Sequence, residues 1–288
     1  MTKINHFYSK GVPFRMFTFD RDFGANDLKQ VAKFDPKQVF VGGNLLLGNC
    51  VYEQPLSVDN FWFAKNIILS NSTWLRGLRI SKTRIEGDLV ASRLKAEYSD
   101  VGLEGLLIDG SARITDTTAE TLNMNGTTIL QYLDLGNCNI KEVCNNNMSV
   151  GCFISYRGVF AEGIYARRVT QLVLSDRALP VQMKEKYRQL GMDAEEHKKG
   201  LLIDFTDTTA GEVDLTRTEA RINLTGSRIN RLVVNDSKIS ECLGYEDAKI
   251  ASLETNEGTK LPEGFRKALG LQKSYYERAR ISLRRSFV

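Results

Sequence analysis

Histidine is nearly absent from this chain, with only His6 and His197 among 288 residues. Neither has a sequence neighbour that would partner it in acid–base or nucleophilic work, so the common hydrolase dyads and triads find no members here. Proline is also scarce, five in all, which suits a chain built of regular elements. The five cysteines are odd in number and scattered, which argues against a paired disulfide framework and for a reducing cytosol. Separations of six and eight between Cys138, Cys144 and Cys152 do not fit a zinc ribbon. Buried structural thiols are the expectation, with Cys50 and Cys138 both inward-facing because they sit in matching contexts, LLLGNC and LDLGNC. No apolar run approaches the ~18 residues of a membrane span, and Met1 to Phe14 lacks the pattern of a secretory leader. A cytoplasmic protein without a membrane span is expected. No glycine-rich dinucleotide fingerprint follows a strand, so neither a cofactor nor a metal is expected.

What the chain does have is a period of five. Ile154, Val159, Ile164, Val169, Leu174 and Leu179 form an unbroken aliphatic column, a spacing that neither an α-helix nor an ordinary strand produces. Shorter columns keep the step: Leu75, Ile80, Ile85, Val90; Ile114, Ala119, Met124, Ile129; Phe205, Ala210, Leu215, Ala220; and Ile229, Val234, Ile239. Such a repeat specifies a solenoid, in which each coil buries its apolar side on its neighbours.

The clearest copies are LRISKTRI at 78, LNMNGTTI at 122, LDLGNCNI at 133, LVLSDRAL at 172, VDLTRTEA at 213, INLTGSRI at 222 and LVVNDSKI at 232. Their frame reads large, any, large, two polar or turn residues, small, any, aliphatic. In extended chain, residues two apart point the same way, so the small residue and the aliphatic after it both face inward while the polar pair turns the corner. Thr83, Thr127, Cys138, Thr218, Ser227 and Ser237 occupy the small position. Four steps close a coil of ~20 residues, with neighbouring coils ~4.8 Å apart. Asn125-Gly126, Gly136-Asn137, Asp109-Gly110 and Asn235-Asp236 are the expected corners.

This frame resembles the pentapeptide-repeat family, most closely its variant form L-x-L-S-G-A-x-I-x-G, over roughly residues 39 to 179 and 201 to 256. The resemblance implies a mainly β fold, a right-handed, four-sided parallel β-helix. Because the central residue is Ile or Val more often than Leu or Phe and the register slips, a less regular rod is expected.

The domain map follows: an N-terminal cap over 1–38, coils over 39–179, an inserted helix over 180–200, further coils over 201–256 and a basic C-terminal helix over 257–288. Pro180, the stripe Met183, Tyr187, Leu190, Ala194 and the stop at Gly200 define the inserted helix. The cap, with a polar helical stretch near Asn26 to Lys33, covers strand edges that an open solenoid end would expose.

Charge is concentrated at one end. Residues 263–288 carry seven basic side chains against Glu263 and Glu277, while the whole chain has a formal charge of only +4. Lys273, Tyr276, Arg278, Arg280, Arg284 and Arg285 are therefore the candidate partner-binding residues. The expected function is non-enzymatic: a rigid solenoid engaging another macromolecule, most simply a protein, as an inhibitor or adaptor in a bacterial or phage-infected cell. Family resemblance adds homodimerisation through the C-terminal helix. Nucleic-acid binding by that helix is one alternative. A carbohydrate-active β-helix using carboxylates such as Asp134, Asp204, Asp207 and Asp214 is the other.

Overall fold

Alternation and turn chemistry build the molecule locally, and stacking completes it. The computed structural model describes residues 2–9, 12–25, 27, 38–172 and 199–268. It is a parallel β-solenoid of about nine turns. Its strands stack into three long sheets of nine, eleven and nine members. Strands of the eleven-membered sheet are mostly longer and fold across a corner, as in Thr118–Asn123, where Ala119 and Leu122 both point inward. One coil thus presents four faces: Ala119, then Leu122 with Met124, then Ile129, then Leu133 with Leu135, all at most 4% exposed.

Register gives the pitch of the repeat. Leu56 stacks beneath Leu78, Leu78 beneath Val101, Leu122 beneath Val143 and Val213 beneath Leu232. Coils accordingly need 22 or 23 residues at the N-terminal end, 21 in the middle and 19 to 21 after the interruption. At that interruption Ile154 pairs with Ile203, so the chain leaves the solenoid after Gln171 and rejoins at Leu202. The inserted helix expected over 180–200 lies outside the described residues, apart from its last two positions.

The small inward position is buried at every expected site: Thr83, Thr127, Cys138, Thr218, Ser227 and Ser237 are at most 1% exposed. Size is only half of its role. Thr127 donates from Oγ1 to Leu103 O (2.7 Å), Thr208 to Tyr156 O (2.6 Å), Thr218 to Ala166 O (2.9 Å) and Ser237 to Leu215 O (2.6 Å). The hydroxyls of Thr127 and Thr218 thereby satisfy carbonyls that no backbone N–H reaches among the described residues, while Tyr156 O and Leu215 O also accept the turn N–H three residues on. Cys138 makes the sulfur version with Ile114 O at 3.1 Å.

The residue read as "any" between two large ones also has a task. Asn123, Asp134, Ser155, Asp204, Asp214 and Asn223 each accept the backbone N–H two residues on, forming Asx or Ser turns that lead into the corner. The corner itself takes a left-handed residue. One column runs Asn49, Asn71, Arg93, Asp116, Asn137, Gly158, Asp207, Gly226; a second runs Asn60, Lys82, Gly105, Gly126, Asn147, Arg168, Arg217, Asp236. Asn, Asp and Gly fill most of these positions because they tolerate positive φ.

Several readings need correction. Leu75 is 54% exposed and Val90 is half-buried; Trp74 and Leu89 face inward in their place. The period of five slips by one residue there, because the Thr73–Trp74 and Leu89–Val90 strands carry their large inward residue one position earlier. Cys50 is exposed although Cys138 is buried. Its strand, Val51–Tyr52, pairs on one side only, with Thr73–Trp74, so among the described residues no coil lies beneath it.

The N-terminal segment extends a sheet. β1 (Thr2–Ser9) and β2 (Val12–Phe19) form an antiparallel hairpin, and β2 runs parallel to β3 (Gln38–Val41), so the hairpin adds two strands below the first coil. Phe23 bridges to Leu45 and is 1% exposed. The polar stretch expected as a helix near Asn26 to Lys33 lies almost wholly outside the described residues. At the other end, α1 (Glu263–Ala268) places Phe265, fully buried, against Tyr245 with ring centres 5.8 Å apart. The helix expected over 257–288 begins only at Glu263: residues 257–262 continue the last coil, with Thr259 donating to Val234 O (2.9 Å) and Lys260 bridging to Lys238, and residues 269–288 lie outside the described residues.

Candidate binding surfaces

Lys273, Tyr276, Arg278, Arg280, Arg284 and Arg285, the candidate partner-binding residues, all lie outside the described residues. The surfaces that can be built from side chains are on the rod.

Outward charges are neutralised from coil to coil. Arg84 meets Asp109 (2.9 Å), Arg113 meets Asp88 (3.0 Å), Lys141 meets Glu120 (2.7 Å), and Arg231 bridges Glu212 (3.0 Å) and Glu254 (2.5 Å). Hydrogen bonds from Arg231 and Asn235 hold the Glu254 carboxyl below its ordinary range. Asp22 and Asp27 are lowered too, by the Asn44 backbone N–H and by Arg21 respectively. The four carboxylates considered for glycosidic chemistry are corner groups: Asp134 accepts from Gly136 N, Asp204 from Thr206, Asp214 from Thr216 and Arg167, and Asp207 is itself a left-handed residue. Asp204 and Asp214 are buried although they sit on the outer side of their strands. Among the described residues, no three histidines, cysteines or carboxylates gather as a metal ion would need. No described helix is long and apolar enough to cross a membrane.

Burial pushes the thiols away from reactivity. Cys138 and Cys242 are raised to about 12 by desolvation, and half-buried Cys144 is raised as well. A thiol that stays protonated at neutral pH is a poor nucleophile.

One outer face carries an aromatic stripe. Along the sheet that continues from β3, the outward residues in successive coils are Phe40, Trp62, Arg84 and Leu107. Phe40 stands edge-on to Trp62 with centroids 5.1 Å apart, and the Arg84 guanidinium lies 5.3 Å from the Trp62 ring. Trp62 also donates from Nε1 to Glu86 (3.1 Å). The indole is therefore fixed by three contacts while half-exposed on a flat face.

A groove of about 580 Å³ opens on the neighbouring face, over the strands Leu56–Asp59, Leu78–Ser81, Lys95–Gly102 and Thr118–Asn123. At Asp100 its lining meets a β-bulge: Ala96 pairs with Ala119 but Asp100 with Thr121, leaving Glu97, Tyr98 and Ser99 to arch outward against Glu120 alone. Ser99 pins the arch by donating from Oγ to Trp74 O (2.8 Å), and Tyr98 is left 91% exposed. The floor is open because Gly77 and Gly102 carry no side chain; Gly77 also has φ +91°, which a side chain would strain. Sequence reading missed both surfaces. A visible signal for the bulge was the KAEYSD stretch, where the step of five stops for one coil.

The chain matches no protein-family model, no curated protein and no solved structure.

Proposed function

We propose that the chain is a non-enzymatic, cytoplasmic binding protein whose rigid solenoid engages a partner protein through the face bearing Trp62. The carrying observation is the stripe itself. Tryptophan and arginine dominate the energetics of protein interfaces, and here both are held in place before any partner arrives, by Phe40, Glu86 and each other. A pre-ordered surface loses little conformational entropy on binding. Asp134, Asp204, Asp207 and Asp214 serve as turn-forming groups, and Asp22, Asp27, Glu254 and Glu263 are held below the ordinary carboxylate range by their hydrogen-bond donors, which favours binding over glycosidic catalysis.

The test is affinity capture from a bacterial lysate with three baits: the full chain, the full chain carrying Trp62→Ala, and a chain ending at Ala268, which keeps the buried Phe265. The expected result is a protein captured by the first and third baits and lost with Trp62→Ala. Capture lost only with the shortened chain would move the interaction to the basic tail. Capture equal with all three baits would remove Trp62 from the reading.

A further inference from the structure

The groove beside Tyr98 differs in chemistry from the tryptophan stripe, and its ligand class can be argued from what lines it. It lies on the face of a sheet, where backbone N–H and C=O groups are already spent between coils. Away from the bulge, anything bound there is held by side chains. Arg79 is tied to Glu104 (3.2 Å) and Glu104 accepts from Asn123, so one side is a fixed polar network. On the other side Arg76 and Asp100 line the groove with no ion pair or side-chain hydrogen bond among the described residues, offering a free donor and a free acceptor. The lining holds two arginines and two carboxylates, so it has no net charge. An anionic polymer would meet Asp100 and Glu104, and a cationic one would meet Arg76 and Arg79, at a cost in either case.

The groove's edge supplies the apolar part. Tyr98 stands two residues before Asp100 on the same strand, and Leu75, one residue before Arg76, is 54% exposed. A bulge that lifts one aromatic ring clear of the surface is a device for re-aiming a side chain. A tyrosine gives a large contact area with only two side-chain torsions to fix.

We propose that this groove binds a neutral oligosaccharide segment. The C–H face of a sugar ring rests on Tyr98, and its hydroxyls take hydrogen bonds from Arg76 and give them to Asp100 and Glu104. Planar, bidentate-capable heads and an aromatic platform around a neutral trough match a ligand that is dense in hydroxyls and carries no charge. This goes beyond the protein-binding reading and stands without it, since the two surfaces share no residue.

Native affinity electrophoresis of the full chain through gels containing dextran, mixed-linkage β-glucan, mannan, galactomannan or arabinoxylan tests this, with alginate as an anionic control. At least one neutral polymer should slow the protein. Tyr98→Ala should weaken that binding about tenfold or more, Tyr98→Phe should keep most of it, and Asp100→Asn with Arg76→Gln should weaken it several-fold. Tyr98 is so exposed that its removal should leave the circular dichroism unchanged. The proposal is overturned if no neutral polymer retards the chain, if Tyr98→Ala is retarded as strongly as the parent, or if only alginate binds. Trp62→Ala should behave like the parent here, which separates failure of this site from failure of the protein-binding face.

Discussion

Thr127 and Ser227 occupy equivalent places in the lumen and face opposite situations. The Thr127 hydroxyl donates 2.7 Å to Leu103 O, whereas Ser227 Oγ is buried with no partner. Thr127→Val strands a buried carbonyl and should cost about 1–2 kcal/mol. Ser227→Ala removes an unpaired hydroxyl and should be neutral or stabilising. Urea midpoints at pH 7 decide both. Cys138 gives a pH signature from the same position. Its folded thiol is raised to about 12 by burial, against about 8.5 in an unfolded chain, so the unfolded state loses its proton first. That contribution to stability is intact below about pH 8.5 and is lost as pH rises towards the folded value. Urea midpoints should fall between pH 9 and 11, and Cys138→Thr, which copies Thr117 and Thr208, should flatten the fall.

Among the elements, one corner is held by a ladder that runs through side chains. Asp22 Oδ1 accepts from the N and Nδ2 of Asn44, Asn44 Oδ1 from those of Asn66, Asn66 Oδ1 from Asp88 N, and Asp88 Oδ1 from Ser111 N. Before three of the four donating positions stands a glycine, and a Cβ on Gly43, Gly87 or Gly110 would collide with the ladder oxygen below. Gly87→Ala should therefore destabilise by about 2 kcal/mol or more through overpacking of a part-buried network; thermal melts compared with a Gly24→Ala control, where an added methyl meets only ordinary contacts, would show it. The dipeptides Gly43-Asn44, Gly87-Asp88 and Gly110-Ser111 stood in the sequence, but their spacing spans whole coils and not the step of five. The inward columns were legible because burial selects one residue type at one interval: Ile154, Val159, Ile164 and Val169 are all at most 1% exposed. Leu75 and Cys50 were misplaced because one-residue slips and coil ends leave residue type unchanged while reversing its environment. Tyr98 was not legible as a surface feature, since a bulge is defined by its partner strand as much as by its own residues.

For the whole molecule, stability is a sum of neighbour contacts, so the ends matter more than their size suggests. Phe265 is fully buried against Tyr245 and closes the C-terminal end. Phe265→Ala should cost about 3–5 kcal/mol. Hydrogen-exchange protection should be lost first in Lys238–Leu243 and Lys249–Glu254 and kept around Asn139–Cys144. Loss spread evenly along the rod would mean that the coils melt as one unit.

Pairing at intervals of 19 to 23 residues also fixes a timetable. During synthesis each new coil has its template ready as soon as it clears the ribosome, and it never has to wait for the far end of the chain. The longest gap among the described residues, 49 residues between Ile154 and Ile203, is then a place where growth must pause with an open edge. Chaperone contact or ribosome-stage aggregation should concentrate there.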